Sequence, residues 1–439
     1  MKRNLLFPVL LSLILPVALF AAGNNQTQQQ SAQQQSGPIT LAFWTHEDAN
    51  RTRIESRYIQ EFQAANPNVK IERTTQSSDK IIELIQTAFA ANQGPDIFNL
   101  SIEDEYPYIA NSRVAPINFQ AAGYKDKADL YNSYDTKFLD PVTLNGNIYG
   151  LPLELTNWCL YINKNIFRSA GLDPDKDYPK TWEDVVTLSQ KLVIRNGDII
   201  TRRGFDFRYP YYLVDFVPMV EQLGGQLISN DGKTAIVGDQ AWLTFLQFMK
   251  NWGPNGLNLG SPTYAAARSL FNANKNEIAM CTTGLYQEGR IKNENPDFFN
   301  SGNWMVVPYP KFANAVKDVA SCFYGHYYMV NAQSSKARQD ASWKLIGYML
   351  SHGEEYLTEV ALPQPTKALL NSTTFKNMPF SSVFANDMAR GHIVYYGAHS
   401  AELQNLIRAA VESVMLAGET PEKALATLRT AAQELISGN

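Results

Sequence analysis

Cysteine is scarce in this chain: Cys159, Cys281 and Cys322 are the only three among 439 residues. They are too few and too scattered for a disulfide framework or a zinc knuckle, and they read as small buried apolar residues. Histidine is nearly as rare. Of the five, only His392 and His399 lie close together, two helical turns apart and without clustered carboxylates, which is not the pattern of a metal centre. The motifs G-x-S-x-G, H-E-x-x-H, G-x-x-x-x-G-K-[ST] and G-x-G-x-x-G are all missing. No catalytic residue, metal or cofactor is therefore assigned, and an enzyme is not expected. Glu47, Asp48, Glu103, Asp104 and Glu154 could furnish the carboxylate pair of a glycosidase, which leaves a secreted carbohydrate-active enzyme as an alternative. The same acids serve as well as hydrogen-bond acceptors for a polyhydroxylated solute.

Strong charge is lacking too. The formal net charge is -4, which gives no reason to expect nucleic acid or an anionic membrane as a partner. The only basic cluster is Arg195, Arg202, Arg203 and Arg208; Asp198 and Asp206 dilute it, and it reads as a solvated hairpin. No Lys/Arg set stands at the predicted strand ends to hold a phosphate. One long apolar run exists, Leu5 to Phe20, broken by Pro8 and Pro16 and shorter than the ~20 residues that span a bilayer. With Lys2 and Arg3 before it and Ala21, Ala22 and Gly23 after it, residues 1–23 read as an export signal peptide. The expected location is periplasmic or at the cell surface. Residues 24–37 form a Gln-rich tract with little to bury, expected to be a disordered tether. Asn24 and Asn25 occupy the place where a lipidated cysteine would stand, so a lipid anchor is not expected.

What the chain does have is regular alternation of strand and helix patterns. Ile39–Thr45 is a short β-branched run; Ile54, Tyr58 and Phe62 then recur at helical spacing up to Asn66-Pro67. Val69–Thr75 and Asp96–Leu100 supply further strands, with a helix carrying Ile81, Ile82, Ile85 and Phe89 between them. Thr181 to Asp184 opens a helix with a capping box, Asn196-Gly197 marks a hairpin, and Thr420-Pro421 starts the last helix. This order predicts an α/β fold with parallel sheets, whose ligands gather at the carboxyl ends of strands. Those ends hold Trp44, His46, Ser77 and Glu103. Aromatic residues make up 12% of the chain; several, including Trp158, Tyr211, Tyr286 and Tyr324, sit beside polar groups, an arrangement suited to the apolar faces and hydroxyl rims of sugars.

The segment from Asn145 to Leu192, NGNIYGLPLELTNWCLYINKNIFRSAGLDPDKDYPKTWEDVVTLSQKL, together with GPDIFNLS, NEIAMCTTGLY, VVPYPK, SSKARQDASWKLIGYML and AGETPEKALATL in order, resembles family 1 of the bacterial extracellular solute-binding proteins, the maltose-binding-protein-like group. The resemblance covers nearly all of the chain after the tether. It implies a two-lobed periplasmic-binding-protein fold in which each lobe is a mainly parallel sheet flanked by helices, with the ligand in the cleft between them. Residues 38–154 plus 306–350 would form lobe one, and 155–305 plus 351–439 lobe two. The implied function is to capture a carbohydrate by hinge closure and hand it to ABC transporter permease subunits, as a monomer. A polyamine or peptide is the alternative solute. The resemblance places ligand contacts at Trp44, His46, Ser77, Glu103, Asn157, Trp158, Tyr211, Tyr286, Gly325 and His326. Tyr286 replaces the tryptophan common at that position, and His326 a glycine.

Overall fold

The structure, a computed structural model, describes residues 37–209 and 211–438. The expected signal peptide and all of the expected tether but Gly37 lie outside the described residues. The described residues form fourteen strands, β1 (Ile39–His46), β2 (Val69–Gln76), β3 (Ile97–Ser101), β4 (Thr143–Leu144), β5 (Asn147–Ile148), β6 (Leu151–Thr156), β7 (Trp158–Asn163), β8 (Ile194–Asn196), β9 (Ile199–Asp206), β10 (Gln226–Ile228), β11 (Ala235–Val237), β12 (Ile278–Gly284), β13 (Trp304–Val307) and β14 (Tyr324–Val330). Two five-stranded sheets carry the fold, with orders β2-β1-β3-β14-β6 and β13-β7-β12-β9-β8; β4-β5 and β10-β11 are small ribbons.

Parallel pairing links β1 to β2 and β3, and β9 to β12, whereas β14 runs antiparallel to β3 and β6, and β7 antiparallel to β12 and β13. Both sheets are thus mixed rather than mainly parallel. The reason is the late return of the chain: a strand that enters from the opposite lobe arrives at the end where the parallel strands finish. β3 and β7 are buried along their whole length, as expected of strands covered by helices on both faces.

Each sheet has its own hydrophobic core. Around the first gather Leu41, Phe43, Ile54, Phe62, Ile85, Phe98 and Met329. The second is built on Trp182, Phe205, Phe207, Phe216 and Trp252, with Phe205 edge-on to Phe207 at 4.9 Å and Phe207 to Phe216 at 5.0 Å. Such pairs add about 0.5–1.5 kcal/mol each beyond their burial, so the end of β9 emerges from a rigid base. Helix boundaries follow local chemistry: Thr181 and Asp184 form the reciprocal capping box, Asp48 caps the helix Ala49–Ala65, and Thr420 with Pro421 opens Pro421–Ser437.

The first passage between the sheets is at Asn157, between β6 and β7. The second falls later than the sequence division at 306. Val306 and Val307 pair with Tyr161 and Leu160 of the second sheet, and Phe312, Ala320 and Cys322 belong to the second core. Tyr356 and Val360, assigned by sequence to the second lobe, pack into the first core. The three cysteines are free and buried. Among the described residues no helix is long and apolar enough to cross a membrane.

Candidate ligand-binding cleft

The ends of β1, β3 and β6 and the start of β14 face the start of β7 and the ends of β9 and β12. At this junction the rings form an unbroken path from one sheet to the other. Trp158 meets Tyr211 edge-on at 5.4 Å, Tyr211 meets Tyr324 at 5.2 Å, Tyr324 meets His326 at 5.4 Å, and His326 lies 4.2 Å from His46. Trp158 and Tyr211 belong to the second sheet and its following loop; Tyr324, His326 and His46 belong to the first. Nothing in the sequence pairs His46 with His326, because β1 and β14 are separated by β3 and by most of the chain.

On the first-lobe side the imidazoles sit over a buried ion network. Arg51 Nη1 is 3.5 Å from Glu154 Oε1, and Arg51 Nε is 3.5 Å from Glu55 Oε1. The Tyr356 hydroxyl donates to Glu154 Oε2 at 2.9 Å. Burial acts to raise the Glu154 carboxyl, but Arg51 and His326 outweigh it and hold the group below the usual carboxylate range. Burial and then the Arg51 charge push His46 well below the usual imidazole value. With its Nδ1 2.8 Å from the Asn99 side-chain amide, His46 is neutral and accepts there, leaving its Nε2–H for another partner. His46, Glu154 and His326 could bring three cation ligands within 4.8 Å of one another. Glu154 is already committed to Arg51 and Tyr356, however, and the guanidinium opposes a metal ion at that spot.

The second-lobe side carries three arginines. Arg208, just beyond β9, has its guanidinium carbon 4.6 Å from the centroid of Tyr211, 5.2 Å from Trp158 and 5.2 Å from Tyr286. Arg290 stands 5.0 Å from the same Tyr286 ring and donates to Asp48 Oδ2 at 2.7 Å. This ion pair joins the helix Tyr286–Glu294, which follows β12, to the first-lobe helix Ala49–Ala65. Beside it, the side-chain amides of Asn293 and Asn50 are in contact. Arg268 is held down to about 10, by burial first and then by the charges of Arg290 and Arg208. Arg208 is therefore not part of a solvated hairpin: its alkyl and guanidinium groups are packed among rings.

The sequence-derived residues divide accordingly. His46, Trp158, Tyr211, Tyr286 and His326 converge on this junction. Asn157, buried on the passage itself, has an Oδ1 without a partner. Gly325 serves close approach: a Cβ there would stand 2.0 Å from the Glu154 carbonyl oxygen, so glycine lets β14 lie against β6. Trp158 and Tyr286 are buried, at 0% and 5% exposure, so neither presents an open stacking face in this state. Glu103 lines a surface pocket of about 610 Å³ with Asp104, Tyr108, Ala398 and Glu402; burial and then Asp104 push it up to about 7. Trp44 is half-buried against the first core, and Ser77 is exposed ahead of the helix Ser78–Ala90. Arg51, Arg268 and Arg290 had no role in the sequence reading, Arg208 figured there only in the hairpin cluster, and Tyr324 only among the aromatics beside polar groups. Their signal is spatial, since each arginine but Arg51 comes from a different second-lobe segment.

Unpartnered polar atoms concentrate here. Trp158 Nε1, Arg208 Nη1, Tyr286 OH, Asn99 Oδ1 and Asn157 Oδ1 are buried without a hydrogen-bond partner among the described residues. Buried polar groups are ordinarily paired. A cluster of exceptions between two lobes is where a polar guest can supply the missing partners.

Two mixed sheets with separate cores, exchanging strands and enclosing an aromatic and polar junction, define a two-lobed solute-binding fold. Comparison with known proteins narrows the class: residues 48–356 match the model of the bacterial extracellular solute-binding protein family, and the chain belongs to that family. A Brucella abortus protein named only as a binding protein is 22% identical over 297 residues, 66% of each chain. A Thermotoga lettingae ABC transporter solute-binding protein bound with α-D-tagatose superposes with a TM-score of 0.78 at 19% identity, covering 91% of this chain and all of that one. UgpB from Mycobacterium tuberculosis, in complex with glycerophosphocholine, gives a TM-score of 0.74 at 16% identity over 92% and 99% of the two chains.

Proposed function

We propose that the chain is the solute-capturing component of an ABC importer, and that its solute is a carbohydrate or related polyol held between the lobes and delivered to a membrane permease. The observation that carries this reading is the ring path from Trp158 to His46, which spans both sheets and is surrounded by unpartnered donors and acceptors. Rings suit the C–H faces of a polyol, while Trp158 Nε1, Tyr286 OH and Asn157 Oδ1 suit its hydroxyls. The tagatose complex of the Thermotoga protein supports the same class of solute. Because the polar atoms are covered in this state, capture requires the lobes to part and close again, a hinge motion about the short passages.

The test is calorimetric titration of the full chain with a panel of mono- and oligosaccharides and polyols, alongside small-angle scattering. Saturable binding with a smaller radius of gyration in the bound state is expected. A panel member that binds without any change of radius refutes hinge capture. Turnover of an oligosaccharide would instead favour an enzyme.

A further inference from the structure

The second-lobe wall of the cleft gathers more positive charge than the protein neutralises. Arg208 and Arg290 flank one ring, that of Tyr286, at 5.2 and 5.0 Å. Arg268 is close enough to feel both charges. Only Arg290 has a close carboxylate, Asp48 Oδ2 at 2.7 Å. Arg268 Nη1 approaches Glu294 no nearer than 3.9 Å, beyond hydrogen-bond reach. Arg208 has three aromatic neighbours in place of an acid, and its Nη1, like that of Arg268, is buried without an acceptor.

Burial works against the ionisation of the acids in this wall. Asp215, which receives the Thr282 hydroxyl at 3.0 Å and lies next to the Tyr309 hydroxyl, is pushed up to about 7 by burial. Glu288, two residues before Arg290 on the same helix and therefore on a different face of it, is pushed up to about 8 by burial, and both its oxygens lack partners. Two guanidinium groups within reach of each other's charge, each with a buried unfilled donor, form a costly arrangement in a folded protein. Such groups persist where an anion completes them. A carboxylate is satisfied by one bidentate arginine, whereas a phosphoryl group offers three oxygens and suits several guanidinium forks at once.

We propose that Arg208 and Arg268 form a phosphoryl subsite within the cleft, so that the solute is a phosphorylated polyol or sugar phosphate. Its polyol part lies toward the rings and imidazoles of the first lobe. The inference rests on the solute-binding reading above and narrows it. The sequence shows no basic set at the predicted strand ends; this one comes from the loop after β9 and the helices Ala267–Ala273 and Tyr286–Glu294.

The experiment is titration calorimetry on the full chain with glycerol 3-phosphate and glucose 6-phosphate, each beside its neutral parent, and with inorganic phosphate alone. The expected result is that one phosphorylated compound binds at least tenfold more tightly than its parent. Arg208→Gln and Arg268→Gln should each abolish that advantage while leaving the melting temperature within a few degrees of wild type. Arg208→Lys, which keeps the charge and loses the fork, should retain part of it. If neutral sugars bind and no phosphorylated compound does better, the subsite is refuted while solute capture stands. If no compound binds, both readings fall. An unchanged preference in folded Arg208→Gln and Arg268→Gln also overturns the subsite. Equal binding of inorganic phosphate and the phosphorylated polyols would show that the polyol part contributes nothing, refuting its placement on the rings.

Discussion

Asp48→Asn isolates the ion pair that ties the lobes together. The Asp48 side chain does two things: Oδ1 accepts the backbone N–H groups of Asn50 and Arg51 at 3.0 and 3.1 Å, and Oδ2 accepts Arg290 at 2.7 Å. Asparagine keeps an oxygen for the helix cap and discards the charge, so the first-lobe helix is retained. The side chains of Asp48 and Arg290 are 8% and 24% exposed, between the surface pairs that contribute about 0–1 kcal/mol and fully buried pairs, whose disruption costs about 3–5 kcal/mol. A charged hydrogen bond in such a setting contributes about 1.5–3 kcal/mol, which shifts the closed-to-open ratio roughly ten- to 150-fold toward open. Binding that requires closure should weaken by up to the same factor, read by calorimetry, and the ligand-free radius of gyration should rise in scattering. The pH dependence has a definite sign. Burial works to raise the Asp48 carboxyl, but Arg290 and Arg51 prevail and hold it below its ordinary value. The pair's contribution is therefore complete above the ordinary carboxylate pKa and disappears as pH falls through the lowered one. Wild-type protein should converge on the variant in acid. Equal affinity and equal radius for wild type and Asp48→Asn at neutral pH would refute the claim that this pair holds the lobes closed.

Two further outcomes follow from buried groups beside the cleft. Glu288 is 2% exposed and raised to about 8 by burial, so the stability it permits below the ordinary glutamate range is lost as pH rises through that value; Glu288→Gln should gain melting temperature relative to wild type between pH 5 and 9, and parallel curves would contradict this. Tyr286→Phe should fold as well as wild type, because the hydroxyl has no protein partner, yet bind the solute several-fold more weakly; Tyr286→Ala should lower both melting temperature and affinity, and normal binding by an early-melting Tyr286→Ala would remove this ring from the site.

The α/β elements were legible because they rest on local patterns. The capping box at Thr181 and Asp184, the hairpin at Asn196-Gly197 and the proline start at Pro421 each need only neighbours in sequence, and each formed where expected. Strand order was less so. The antiparallel entry of β14 between β3 and β6 depends on where the chain comes back from, which periodicity does not encode. His46, Trp158, Tyr211, Tyr286 and His326 come together at one junction because each stands at or near the end of an element, a position the alternation of strands and helices does reveal. Arg208 departs from the solvated-hairpin expectation because Asp206, two residues earlier, pairs with Arg203 at 2.8 Å instead, so the diluting acid is spent elsewhere. At Gly325 the backbone of Glu154 fills the space a side chain would occupy, a close approach that no local pattern encodes.

The position of β14 also bears on how the protein is made. β1, β2 and β3 leave the ribosome first, yet the inner neighbour of β3 begins only at residue 324. All five strands of the other sheet lie between residues 158 and 307. At about 5–20 residues per second, the apolar edge of β3 therefore waits many seconds for its mate while the entire second sheet is synthesised. Over that interval the nascent chain presents an unpaired strand edge of the kind that recruits holding factors or neighbouring chains. It is also a chain that cannot yet lock into its final form, and so one still thin enough to be threaded.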